Sequence, residues 1–155
     1  MNIQERIEAL ETEFAEKIKA LKAEAQREDE FPKDYDEYWY VDGDTEVMGT
    51  WCGEDYEQGR LSINNVFKTK EQAKFAVEKL KVEAELRKFG RPFKRDSLNF
   101  VMCFDTEEDK LYSETRRFMN QGSLYFDWGQ VARAVDEVGE ERIKKYIFGF
   151  LGLNK

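Results

Sequence analysis

The chain contains no histidine, and that absence limits its chemistry before any fold is considered. Ser-His-Asp and Cys-His nucleophile activation are removed, as are all His-based metal sites. The usual side chain for proton transfer near neutral pH is missing as well. Among 33 Asp and Glu, no pair stands out by spacing as a general acid and base. Asp42, Asp44 and Glu46, or Asp105, Glu107 and Asp109, alternate as calcium ligands can, but neither run has the glycine and terminal Glu of an EF-hand loop. Cys52 and Cys103 are too few and too far apart for a disulfide framework or zinc knuckle, and no cation cluster activates either thiol. The residues therefore predict a non-enzymatic protein with no cofactor and no metal.

Two constellations could instead bind. The first is acidic and aromatic: Asp34, Asp36, Trp39, Tyr40 and Tyr56, with Tyr35, Tyr38, Trp51 and further carboxylates among them. Tyr and Trp are favoured interface anchors, and carboxylates around them suit a basic partner surface. Alternate aromatics of this stretch must also serve a sheet core, with Trp51 the leading core candidate. The second is basic: Arg87, Lys88, Arg91, Lys94 and Arg95, interleaved with Phe89 and Phe93. Such groups neutralise phosphate while aromatics stack on bases. The plainer reading is that Arg87 and Lys88 complement a helix C-terminus and the others solubilise a linker.

The elements that must position these groups fit a chain of ordinary domain size. At 155 residues, with 2 Pro and 10 Gly, it can bury a core without disulfides or metal. No apolar window approaches the length of a membrane span, and no signal-peptide core follows Met1. A cytoplasmic, soluble protein without membrane contact is expected. Its net charge of −8 opposes binding to duplex DNA.

Residues 1–30 read as an N-terminal helix. Ile3, Ile7, Leu10, Phe14 and Leu21 match an a/d seam except at Lys17, which has Ile18 beside it. This stripe must be buried, either on its own domain or against a second copy, and a homodimer or higher oligomer is the expectation. Asp29, Glu30 and Pro32 end the helix. Strands 38–41 and 46–51 flank Asp42-Gly43, a hairpin signal. A polar loop at 52–59 and a strand from Arg60 to Phe67 follow. Thr69 and Gln72 form a capping box, opening a helix that Gly90 stops. That helix carries two apolar stripes, Ala73/Ala76/Val77/Leu80/Ala84 and Phe75/Val82/Leu86/Phe89. Two stripes call for an extra cover, most economically the N-terminal helix or a neighbouring subunit.

The second half repeats the plan. Strands are predicted over 98–104, 111–119 and 123–126. Asp127 and Gln130 make another capping box, Val131, Ala134, Val135 and Val138 a helical stripe, and Gly139 its stop. A turn over 140–146 leads into the apolar run 147–151. At an offset of 58 residues, Gln72 falls on Gln130, Ala73 on Val131, Ala76 on Ala134, Val77 on Val135 and Leu80 on Val138. The fold class is α+β: two β-β-β-α units, 34–95 and 96–155, with antiparallel strands, behind the N-terminal helix.

Several of these segments carry a likeness. Tyr38-Trp39-Tyr40 with Asp42-Gly43, Thr50-Trp51, Asn65 through Ala73, Val77 through Val82, and Leu124 through Tyr146 resemble small proteins of phages and prophages of Gram-positive bacteria. The resemblance covers nearly the whole chain, but its motifs are structural and bring no site residue with them. It implies a setting: an accessory protein in a bacterial host cell that inhibits a host defence system, as anti-CRISPR proteins do, by occluding a basic partner surface such as the nucleic-acid groove of a defence nuclease. The alternative is a nucleotide- or nucleic-acid-binding accessory protein using 87–95, including one that sequesters a nucleotide signal.

The charge balance yields a direct test. In filter binding or fluorescence anisotropy with random duplex DNA at about 150 mM salt, no sub-micromolar affinity is expected. Tighter binding would promote the basic segment over the acidic one.

Overall fold

The computed structural model describes residues 2–28 and 30–149, with side chains throughout except at 26–28. Helix α1 spans Ile3–Glu28. The Asn2 N–H donates to Glu5 at 2.8 Å and the Glu5 N–H to the Asn2 side chain at 2.8 Å. This reciprocal cap fixes the helix start. Asp29 of the expected helix end, and Phe150 and Leu151 of the closing apolar run, lie outside the described residues. No described helix is long and apolar enough to cross a membrane.

Strands β1 (Glu37–Asp42) and β2 (Thr45–Thr50) form an antiparallel hairpin in which Asp42 faces Thr45. The two-residue loop is thus Gly43-Asp44. Gly43 adopts φ +62°, which only glycine reaches cheaply at the first loop position.

The expected loop at 52–59 and strand at 60–67 are replaced by helix α2 (Asp55–Ser62) and a short connection. Leu61 and Ile63, taken as strand positions, are both exposed. The outer edge of β1 accepts no full strand. Instead the Asn65 side chain accepts from the Val41 N–H at 2.7 Å and donates to the Val41 carbonyl at 2.9 Å. Phe67 then pairs with Trp39 in a single bridge. One amide and one bridge stand where a third strand was anticipated.

Helix α3 (Lys70–Arg87) begins at the Thr69/Gln72 capping box as expected. Strand β3 (Gly90–Arg91) follows it, then β4 (Asn99–Asp105), β5 (Lys110–Arg116), β6 (Tyr125–Phe126), α4 (Gln130–Val138) and α5 (Glu140–Tyr146). The second sheet runs β3-β6-β4-β5, antiparallel throughout. Gly90 is therefore a strand residue rather than a helix stop. Its missing side chain makes room for Leu124, whose Cγ would lie 2.3 Å from an added Cβ. Asp127 does not cap α4, which starts after Gly129 at φ +77°, because its carboxylate is held by Arg91 at 2.8 Å.

The architecture is α+β, and its main core cluster among the described residues lies between α3 and the second half of the chain. Val82 and Leu86 of α3 meet Leu111, Phe126, Val131, Ala134, Val138 and Ile143. The other face of α3, with Ala73 and Val77 buried, packs on the β1–β2 hairpin. The buried parts of the two stripes are thus covered by the hairpin on one side and α4, α5 and the second sheet on the other, while Leu80 and Ala84 of the first stripe are exposed. Helix α1 is not the cover, and all of its described side chains, 3 to 25, are exposed. Leu80, included in the first stripe and matched to Val138 by the repeat, is exposed.

Charged side chains tie the periphery to this core. Arg142 of α5 clasps Glu85 of α3 with two bonds of 3.0 Å. Lys144 is buried, donates to the Asp109 carbonyl at 2.7 Å, and pairs with the carboxylates of Asp109, Glu140 and Glu141. Asp109 itself turns the β4–β5 connection at φ +52°. Replacing Lys144 by Met keeps the apolar stem but unties that turn. Because the three carboxylates can return to water, a loss of about 2 kcal/mol is expected, smaller than for a fully buried pair. Urea unfolding of the K144M variant measures it.

Candidate binding surface

Alternation along β1 places Tyr38 and Tyr40 on one face of the hairpin and Trp39 on the other. Tyr38 is 1% exposed and meets Trp51 edge-on at 5.6 Å. Gly49, directly opposite it, leaves room for its ring, which an added Cβ would approach to 3.0 Å. Trp51 is buried and is a core residue, as its place in the sequence suggested.

A buried polar network starts at the Tyr38 hydroxyl. It donates to Glu57 at 3.2 Å and accepts from Arg60 at 2.8 Å. The other Glu57 oxygen accepts from the N–H groups of Cys52 at 2.9 Å and Glu54 at 3.0 Å. Glu57 is thereby the hub that folds 52–54 onto the start of α2. Burial works against its charge, but the N–H groups of Cys52, Glu54 and Gly53 and the Tyr38 hydroxyl outweigh burial and hold its carboxyl below the ordinary value. Burial likewise pushes the Tyr38 phenol up, against the pull of Arg60.

With one nitrogen fixed by Tyr38, the Arg60 guanidinium lies 3.6 Å over the Tyr40 ring and 5.0 Å from that of Tyr56. The result is a Tyr40–Arg60–Tyr56 stack, with Tyr56 59% exposed. Nearby, the Tyr35 N–H donates to the Trp51 carbonyl at 2.8 Å, while its ring stands free in solvent. Exposed Glu54, Asp55 and Asp34 supply negative charge along the same segments.

The expected acidic, aromatic site is therefore split. Tyr40 and Tyr56 come together through Arg60. Trp39 sits on the opposite face of the hairpin with Lys70 over its ring at 5.2 Å. Asp34 is exposed, but Asp36 closes a turn, accepting from the Lys33 N–H at 2.8 Å. Sequence reasoning missed Arg60 and Glu57, having placed them in a strand and a loop. The signal was present: Glu54 and Glu57 are spaced as a capping pair, and Tyr56 and Arg60 are four apart on one helix face.

The fold divides the basic segment. Arg91 spends its guanidinium on Asp127, the Pro92 and Leu98 carbonyls and the Asn99 side chain, at 2.8 to 3.0 Å. Asn99, itself buried, holds both backbone groups of Lys94. Arg91 is thus the internal tie of the 92–98 loop, not a free cation. Arg87 pairs with Glu83 at 3.5 Å, and the two line a cavity of about 530 Å³ whose other walls include Leu86, Met102, Leu124 and Phe126. Lys88, Lys94 and Arg95 remain exposed.

Among the described residues, no three acids or cysteines gather as a metal-binding group. Asp105 instead accepts from the N–H groups of Glu107 and Glu108 within its turn. Burial, reinforced by Glu114, pushes the Cys103 thiol up and away from thiolate chemistry. Comparison with known proteins finds no matching family model, no matching curated protein and no matching solved structure.

The Glu57 hub has a pH signature. Because its folded value is depressed, its stabilisation is present above the ordinary carboxylate range and is lost as pH falls through the folded value. Glu57→Gln puts an amide where the site offers only donors to that oxygen, and should cost about 2 kcal/mol at pH 7. The gap to the parent should narrow in urea unfolding repeated at progressively acidic pH. A pH-independent gap would mean that the charge of Glu57 is not what matters.

Proposed function

We propose that the chain is a non-enzymatic binding protein that docks its Tyr40–Arg60–Tyr56 face, with the acids around it, onto a basic protein surface. The observation that carries this reading is an exposed aromatic stack held by a buried network. Tyr56 stands largely in solvent, yet its cationic neighbour is fixed through Tyr38 to a buried carboxylate. Rigid aromatics lose little freedom on binding, which is what an interface anchor requires. The phage likeness of the sequence supplies the role: an inhibitor of a host defence system, anti-CRISPR-like, that occludes a basic groove. The nucleotide- or nucleic-acid-binding alternative is weakened by the internal use of Arg91.

The partner is sought by co-purification from a nuclease-expressing bacterial host, and the surface is then tested by binding kinetics. Tyr56→Ala should raise Kd by about thirtyfold, mostly through faster dissociation. Asp34→Lys with Asp55→Lys should slow association and flatten its salt dependence. Asp36 is left intact in this test because it shapes a turn. If both variants bind the partner as the parent does, this face is not the interface.

A further inference from the structure

We propose that α1 pairs with the α1 of a second copy in antiparallel fashion, about a two-fold axis through Phe14. This inference is independent of the hairpin surface. Its starting point is that Ile3, Ile7, Leu10, Phe14, Ile18 and Leu21 are all 43 to 77% exposed. The heptad reading of these residues has a fault at Lys17. Adding Ala25 and reading through Ile18 removes the fault: the spacings become four, three, four, four, three, four. Ile3, Phe14 and Ala25 are eleven apart, as are Ile7 and Ile18, and Leu10 and Leu21. An eleven-residue repeat tracks the natural helix period more closely than seven does. At about 100° per residue all seven positions fall within a strip about 80° wide. Lys17 lies just outside it, paired with Glu13.

The spacing is also a palindrome centred on Phe14. That symmetry lets an antiparallel partner meet apolar residues at every level, as an in-register parallel one also would, so the flanking charges decide the direction. Ile3 faces the partner's Ala25, Ile7 the partner's Leu21, Leu10 the partner's Ile18, and Phe14 the partner's Phe14. Such an interface uses the same patch on both chains, as a two-fold dimer must.

Charge identifies the occupant as a second copy. Along one flank of the strip stand Arg6, Glu13, Lys17 and Glu24, alternating in sign. Reversed, the series is its own complement: Arg6 meets the partner's Glu24 and Glu13 meets the partner's Lys17, each twice. The opposite flank, with Gln4, Glu11, Ala15 and Lys22, sets no like charges against each other in this arrangement. A parallel pair, at one common offset, would bring Lys17 against the partner's Lys22 and Arg6 against the partner's Glu11, so repulsion cancels attraction where the antiparallel pair has attraction alone. Arg6 and Glu24 also stand toward the helix ends whose backbone charge matches their own sign. An isolated helix gains nothing from that placement, and a reversed partner corrects it.

The test uses the full chain in sedimentation equilibrium up to about 100 µM, a concentration suited to a short coiled interface. A dimer is expected, and Phe14→Asp should make it monomeric while leaving the folded core, to which α1 contributes no buried residue among those described, 3–25. Arg6→Glu and Glu24→Arg should each weaken dimerisation about tenfold. Mixed together, they should form a heterodimer as tight as the parent, because every flank contact is again complementary. The two residues are about 27 Å apart along one helix, so rescue by mixing cannot arise within a chain. Each reversal also suits the dipole of its helix end, so weakening cannot come from a lost helix. A monomeric parent, a trimer or tetramer, or a mixture no tighter than its components would overturn the proposal.

Discussion

Helix α3 has to be covered on two sides, and the rest of the molecule is arranged to do it. An 18-residue helix with buried residues at 73, 77, 82 and 86 presents more apolar surface than one sheet face can hide. The β1–β2 hairpin takes the Ala73/Val77 side. Helices α4 and α5 with the second sheet take the Val82/Leu86 side. This makes α3 the shared wall between the two halves of the chain. It also frees α1, which would otherwise be the natural lid for an over-apolar helix.

The buried polar residues act where apolar packing cannot. Glu57, Asn99 and Lys144 are the three buried polar or charged residues among those described, and each organises a connection rather than an element. Glu57 gathers the N–H groups ahead of α2, Asn99 gathers the 94–97 loop, and Lys144 gathers the β4–β5 turn. Loops have no ladder to satisfy their backbone groups, so a side chain aimed from the core does it instead. Arg91 and Arg142 extend the same device to pairs of segments far apart in sequence. The exposed aromatic stack inherits its rigidity from one of these hubs.

Local signals in the sequence were legible where the physics is local. The Asp42-Gly43 hairpin, the Thr69/Gln72 box, the β4 and β5 strands and the Gly139 stop all rest on short-range rules and stand in the structure. What failed depended on partners elsewhere in the chain. Asp127 has the right spacing for a cap, but Arg91, 36 residues away, claims its carboxylate. Leu61-Ile63-Phe67 alternates like a strand, but the edge it would need is met by a side chain. Gly90 looks like a helix stop because the requirement it serves, space for Leu124, is invisible without the fold. For the binding surface, the aromatic anchors were visible as residue types. Which of them share a face was not, since that depends on Arg60 reaching Tyr38 across 22 residues.

The Asn65 amide has a consequence for how the hairpin behaves among its neighbours. A strand edge is a template: its free N–H and C=O groups can recruit an extended segment from another molecule and start an aggregate. At Val41 both of those groups are already occupied by one side chain, and two residues away Trp39 is occupied by Phe67. The outer edge of β1 is closed with very little chain, as a full third strand would close it, while that chain goes instead into the helix carrying Tyr56 and Arg60. The open edge left on the hairpin is β2, which begins with Thr45 and Glu46 and is crossed by an ion pair from Lys70 to Glu46 at 3.8 Å. Charge guards one side of the ribbon and a borrowed amide the other, so a two-stranded sheet can stand at the surface without inviting a third from outside.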